Sequence, residues 1–139
     1  MNAMTGKCLC GAVNFTASGV ELHHHVCHCG MCRRWTGGPQ MAAATERVSF
    51  VGEENLGRYD SSDWAQRGFC KVCGSSLFYL LKPTGQYMLS IGAFDDPSKF
   101  QLVREIFIDH KPAGYAFAGE LARLTEAQVF AQYAGPGSK

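Results

Sequence analysis

Seven cysteines in three tight clusters constrain this 139-residue chain more than any other feature of its sequence. Long cysteine-free stretches separate the clusters, which are Cys8-x-Cys10, Cys27-x-Cys29-x-x-Cys32 and Cys70-x-x-Cys73. Disulfides join distant elements whose Cα atoms lie about 4.4–6.8 Å apart, and an odd number of cysteines cannot pair completely. The pattern therefore favours metal ligation by thiolates over a disulfide framework.

The third cluster supplies half of a metal site. Zinc takes about four ligands at tetrahedral angles, and a Cys-x-x-Cys turn presents two thiolates toward one point. Gly74, directly after Cys73, can take the positive φ that lets backbone N–H groups approach the sulfurs. Cys8 and Cys10 share a face if this stretch is extended, and they are a suitable second pair. Together with Cys70 and Cys73 they predict a closed four-cysteine site.

The remaining three cysteines, Cys27, Cys29 and Cys32, combine a same-face pair with a two-residue spacing. Three ligands leave one coordination position open, which distinguishes a catalytic or substrate-binding zinc from a structural one. Two other partitions stay open: the first pair could join this middle cluster, or the middle cluster could be unmetallated reactive thiols. His28 alternates with its neighbouring cysteines and is expected to point to the opposite face.

Outside the clusters the chain has the pattern of a single β-rich domain spanning residues 1–139. Apolar residues alternate in short runs, which predicts half-buried strands, and a turn-rich loop at 82–86 predicts a hairpin of 76–81 with 87–94. Thr125 and Gln128 form a capping-box pattern before a short helix at about 126–133. Residues 135–139 are expected to form a flexible tail.

Charge and hydropathy narrow the range of partners. Thirteen Lys and Arg against twelve Asp and Glu give a net charge of +1, without the basic excess that accompanies nucleic-acid binding. No apolar stretch approaches the roughly 20 residues needed to span a bilayer, and the N-terminus lacks the apolar core of a signal peptide. We therefore expect a cytoplasmic protein with no nucleic-acid or membrane partner. The oligomeric state stays open.

The cysteine clusters and their neighbours, in segments 6–13, 27–37 and 69–77, resemble the glutathione-dependent formaldehyde-activating family, also called the centromere protein V type. Similar residues continue through 91–97 and 109–111. The resemblance implies the mainly β fold called the β-tent or Mss-like fold, with small antiparallel sheets around a structural zinc and a short C-terminal helix. It also implies two zincs per chain, one structural and held by the first and last pairs, and one labile, catalytic and held by the triplet.

The activity that the resemblance implies is that of a carbon–sulfur lyase, typified by S-(hydroxymethyl)glutathione synthase, with a thiol such as glutathione as partner. Glutathione carries two carboxylates, so Arg33 and Arg34, directly after Cys32, are candidate substrate-binding residues, with Arg67 a further candidate. A solvated or structural role is an equal alternative for each arginine. Two other functions stay open: a thiol carrier without turnover, and a zinc-stabilised interaction module.

Overall fold

The structure is a computed structural model that describes residues 3–133, so the predicted tail at 135–139 lies outside the described residues. Backbone contacts divide the chain into two units, one of Met1–Leu22 and Ala42–Phe100, the other of His23–Met41 and Gln101–Lys139. The expectation of a single domain stays a prediction. None of the helices within the described residues is long and apolar enough to cross a membrane.

Strands dominate residues 3–133, as the sequence predicts. The strands are β1 (Ala3–Lys7), β2 (Asn14–Val20), β3 (His23–Cys27), β4 (Gln40–Val51), β5 (Leu56–Asp60), β6 (Ala65–Cys70), β7 (Ser76–Leu81), β8 (Gln86–Ser90), β9 (Gln101–Ile106) and β10 (Ala122–Leu124). The α-helices are α1 (Gly30–Thr36) and α2 (Glu126–Tyr133). The mainly β fold class with a short C-terminal helix is therefore confirmed.

An antiparallel sheet forms the first unit, in the order β1-β2-β4-β8-β7-β6-β5. The predicted hairpin is confirmed as β7 and β8, with Phe78 opposite Leu89. Its second strand is shorter than predicted because a 3-10 turn at Ile91–Ala93 ends the ladder. Period-two apolar patterns indicate which residues face the core, but they do not show where pairing stops.

Aromatic rings fill the core of the first unit. The ring of Phe78, which is fully buried, lies 4.9 Å from that of Tyr87 and 5.5 Å from that of Phe50, measured between centroids. Gly68 pairs with Phe78 across β6 and β7, and a Cβ on Gly68 would lie 2.1 Å from the Phe78 Cζ atom. The ring therefore occupies the space that a side chain at residue 68 would need.

The second unit is built around β9, which pairs in parallel with both β3 and β10. This parallel pairing differs from the antiparallel sheets that the family resemblance implies. The sequence could not have predicted it, because side-chain alternation along a strand carries no information on strand direction.

Helix α2 has the predicted capping box: the Gln128 N–H donates to Thr125 Oγ1 at 3.2 Å, and the Thr125 N–H donates to Gln128 Oε1 at 2.8 Å.

Helix α1 was not predicted from the sequence. It begins after Cys29, whose Sγ accepts a hydrogen bond from the Cys32 N–H, and it ends at Gly37 with φ of 87°. Seven residues are too few to show a 3.6-residue apolar period, and a cysteine is not among the usual N-cap residues. The helix places Cys32 one turn away from Cys29.

Gly68→Ala is expected to lower the free energy of unfolding by about 1–3 kcal/mol, since the added methyl group would displace the buried Phe78 ring. Urea titration followed by fluorescence measures the change. Gly92→Ala is the matched control, because a Cβ at Gly92 meets no atom within 4 Å and the stability should change by less than about 0.5 kcal/mol. Equal losses in the two variants would contradict the packing argument.

Candidate metal centres

Four cysteines of the first unit, Cys8, Cys10, Cys70 and Cys73, bring their sulfur atoms within 4.8 Å of one another. The Sγ atoms of Cys8 and Cys10 are 3.7 Å apart, and those of Cys10 and Cys70 are 3.8 Å apart. A tetrahedron with Zn–S bonds of about 2.3 Å has sulfur–sulfur edges of about 3.8 Å. The donor set and its spacing therefore fit a zinc ion.

Two tight turns aim these sulfurs at one point. The Gly11 N–H donates to the Cys8 carbonyl at 3.2 Å, so the first pair lies on a turn and the expectation of an extended segment is wrong. The second turn is as predicted: the Gly74 N–H donates to the Cys70 carbonyl at 2.8 Å, and Gly74 has φ of 81°. An extended segment and a turn both let two thiolates point toward the same position.

Ser75 connects the two turns. Its hydroxyl accepts a hydrogen bond from the Leu9 N–H at 3.0 Å, and its Oγ lies 3.2 Å from the Cys73 Sγ. Because the hydroxyl proton can point at sulfur while the oxygen accepts from Leu9, Ser75 donates to Cys73. This hydrogen bond, together with backbone hydrogen bonds from Ser75 and Cys10, lowers the pKa of Cys73 to about 5. No sequence signal marked Ser75 apart from its place beside Gly74.

The triplet lies in the second unit, and its three sulfurs also fall within 4.8 Å of one another. Cys27 ends β3, Cys29 caps α1, and Cys32 lies in the first turn of α1. Hydrogen bonds from the Cys27 and Cys32 thiols lower the pKa of Cys29 to about 2, and the interaction with Cys29 raises the pKa of Cys27. The cluster accommodates one ionised thiolate easily, whereas ionisation of all three thiols requires a cation beside them. The cluster is therefore suited to a divalent metal.

The ring nitrogens of His28 contact other side chains and are not part of the group of three sulfurs. Its Nε2 lies 2.8 Å from Glu105 Oε1, its Nδ1 lies 3.0 Å from the Tyr115 hydroxyl, and the residue is fully buried. Glu105 was missed at the sequence level, although a signal existed. In the sequence it alternates with two apolar residues, Val103 in β9 and Phe107 directly after it, and a solvated carboxylate is seldom found at such a position.

The three candidate arginines differ in accessibility. Arg33 is half-buried, and its Nε donates to the His28 carbonyl at 3.2 Å. Arg34 is exposed on α1. Arg67 belongs to the first unit, is 4% exposed, and has its guanidinium carbon 5.1 Å from the centre of the Tyr79 ring. A substrate-binding role stays a prediction for all three.

A third group of possible metal ligands, Asp109, His110 and Glu126, lies nearer the surface. The Glu126 N–H donates to Asp109 Oδ1 at 3.0 Å, which caps the start of α2. His110 Nε2 lies 2.8 Å from Glu126 Oε1. Helix capping and a surface His–Glu pair account for the arrangement without a metal.

These observations define a class of mainly β protein with one cluster of four thiolates and one cluster of three, each suited to bind metal. Residues 3–110 match the family model described as glutathione-dependent formaldehyde-activating enzyme, and the chain belongs to this family. It is 34% identical over 126 residues to an uncharacterized lyase of Schizosaccharomyces pombe, covering 89% of this chain and 92% of that protein.

The fold is also similar to the crystal structure of a Rhodobacter sphaeroides protein. The TM-score is 0.56 at 25% sequence identity, with 88% of this chain and all of the other chain covered. The family resemblance stated from the cysteine motifs is therefore confirmed by relatives in sequence and in structure.

Ser75→Ala is expected to speed removal of metal from the four-cysteine site by a chelator. It should also lower the free energy of unfolding by about 1 kcal/mol, since hydrogen bonds to the Leu9 N–H and the Cys73 sulfur are lost. Release into a chromophoric chelator and urea unfolding measure the two effects. Ser98→Ala, which removes an exposed hydroxyl bound to Asp96, is the control. Indistinguishable behaviour of the two variants would contradict the role of Ser75.

Proposed function

We propose that this protein is a zinc-dependent carbon–sulfur lyase of the glutathione-dependent formaldehyde-activating type, acting on a thiol–aldehyde adduct such as S-(hydroxymethyl)glutathione. The observation that carries the proposal is the separate cluster of three sulfurs, Cys27, Cys29 and Cys32, which no fourth His, Cys, Asp or Glu among residues 3–133 joins. Family membership and the relative named as a lyase support it.

Two zincs are proposed for each chain. The structural one would be held by the four cysteines of the first unit, and the labile one by Cys27, Cys29 and Cys32. When bound to the triplet, zinc would supply an open coordination position at which a thiol, with an ordinary pKa of about 8.5, is deprotonated near neutral pH. Three thiolates make this site net negative, which favours exchange of the fourth ligand.

The chain's own residues hold and orient the reactants. The N–H of Cys32 donates to the Cys29 sulfur at 3.4 Å, which fixes two thiolates relative to helix α1. We propose that Arg34, which is exposed on the same helix, binds one glutathione carboxylate and that Arg33 binds the second. Arg67 is the least accessible of the three proposed substrate-binding residues.

One observation favours a second candidate, an interaction module stabilised by zinc. Leu9 and Val72, inside the two cysteine turns of the first unit, are 88% and 64% exposed. Apolar side chains held at the surface by metal turns are suited to contact another protein. A thiol carrier without turnover would share the three-thiolate site with the enzyme, and kinetics alone separate these two.

Cys29→Ala is expected to reduce zinc from about two per chain to about one and to abolish turnover of S-(hydroxymethyl)glutathione, because two thiolates hold zinc poorly. Elemental analysis and a coupled formaldehyde assay give the two readings. Cys73→Ala is the comparison, since it should cause a much larger loss of thermal stability. Two zincs and full turnover in Cys29→Ala would refute the proposal, whereas specific thiol binding without turnover in the wild type would favour the carrier.

Arg34→Ala is expected to raise the KM for the glutathione adduct about tenfold or more with little change in kcat, since it removes a charged hydrogen bond formed equally in the ground and transition states. Steady-state kinetics over a range of adduct concentrations measure KM and kcat separately. Arg47→Ala removes an exposed arginine of β4 in the first unit and is the control. An unchanged KM in Arg34→Ala would remove this residue from the substrate site.

A further inference from the structure

We propose that four side chains of the second unit, His28, Glu105, Tyr115 and Arg123, are positioning residues that set the metal affinity of the Cys27, Cys29, Cys32 cluster. These four are called the His28 network below. The inference rests on the proposed function, because it presumes a metal at the triplet. It assigns a role to two buried polar groups, His28 and Glu105, and to their partners, for which neither the three cysteines nor the candidate arginines account.

His28 is fixed at four points. Its N–H donates to the Ile106 carbonyl at 3.2 Å, and its own carbonyl accepts from Arg33 Nε at 3.2 Å. Its two ring nitrogens contact Glu105 and Tyr115. Since His28 separates Cys27 from Cys29, its backbone torsions set the relative directions of these two Cα–Cβ bonds. Holding His28 at four points therefore preorganises two of the three thiolates.

The hydrogen bonds assign the tautomer of His28. The buried carboxylate of Glu105 accepts a hydrogen bond from the His28 Nε2–H group. A neutral imidazole in this position therefore has its proton on Nε2 and its lone pair on Nδ1. The Tyr115 hydroxyl then donates to Nδ1. Burial raises the pKa of Tyr115, which keeps its hydroxyl protonated and able to donate. Both nitrogens of the ring are satisfied.

The network extends from the buried ring to solvent. Glu105 Oε2 accepts from Arg123 Nε at 2.9 Å, and the Arg123 side chain is 48% exposed. The register of the parallel strands places Arg123 opposite Glu105 on β10 and β9. Arg123 thus neutralises a carboxylate that would otherwise be costly to bury, which keeps Glu105 available to His28.

Aromatic contacts hold the ring of His28 from the side of the 111–117 segment. Its centroid lies 5.6 Å from that of Tyr115 and 5.9 Å from that of Phe117. Tyr115 is held in turn by Lys111, whose Nζ lies 5.0 Å from the Tyr115 ring centre and donates to the Tyr115 carbonyl. Displacement of this segment would therefore change the support of the cysteine pair.

Two members of the network, Tyr115 and Arg123, lie after residue 110, where the match to the family model ends. The family model therefore covers only His28 and Glu105 of the four network residues. The network is a property of how the C-terminal segment of this chain packs on its β9 strand.

The test measures metal affinity, not turnover. Four proteins are loaded with Co²⁺ or Zn²⁺ and titrated with a chromophoric chelator: the wild type, Glu105→Gln, Tyr115→Phe and His28→Ala. The same titration of Cys29→Ala identifies the transition that belongs to the triplet. The three network variants should bind metal at the triplet about 10- to 100-fold more weakly and leave the four-cysteine site unchanged. The thiolate-to-cobalt absorption of the triplet should also change.

His110→Ala is the matched control, because His110 and Glu126 form a pair at the same 2.8 Å distance but with both side chains about 40% exposed. If His28→Ala does not fold, Tyr115→Phe, which loses one oxygen atom, carries the test. Unchanged triplet affinity in Tyr115→Phe and Glu105→Gln would overturn the inference, and so would equal weakening of both sites. A wild type that binds one metal under saturating Co²⁺ would overturn the proposed function, which is a different result.

Discussion

The repulsion between thiolates held a few ångströms apart is the constraint on which both halves of this molecule depend. Each cluster brings its sulfur atoms within 4.8 Å of one another. Full ionisation of either set without a cation is unfavourable, as the opposed pKa shifts of Cys27 and Cys29 show. A close grouping of thiolates that is unfavourable without a cation therefore becomes favourable once a divalent metal compensates the charge.

The two clusters are built by different means. Turns and a serine shape the four-cysteine site, where the N–H groups of Val13 and Val72 donate at 3.3 Å to the sulfurs of Cys8 and Cys70. The cysteines of the triplet lie at a strand end, at a helix cap and in a helix turn. In the first site, local turns present each cysteine pair and the hydrogen bond from Leu9 to Ser75 joins the two turns. In the second, tertiary contacts such as that of His28 with Glu105 support the cluster.

The features that could be predicted from the sequence are those that depend on local contacts, and the features that could not are those that depend on long-range contacts. The Cys70 turn with Gly74, the β7–β8 hairpin and the α2 capping box depend on residues close together in the chain, and each could be read from spacing and residue type. The division of the cysteines into a group of four and a group of three was predicted by counting ligands. Helix α1, the parallel pairing of β9 and the role of Glu105 depend on contacts across many residues. No local pattern encodes such contacts, so the fold class and both cysteine clusters were predictable while the support of the triplet was not.

Phe107 shows how the support of the triplet is held together. It follows Ile106, which accepts the His28 N–H, and it is the one non-glycine residue with positive φ, 55°, among residues 3–133. A bulky residue keeps that conformation when its surroundings hold it there, and its ring packs against His110 and Phe130. The bend ends β9 directly after the hydrogen bond to His28. The packing of α2 is thereby coupled to the strand that positions Cys27, so the second cluster depends on the segment from β9 to α2 and not on its three cysteines alone.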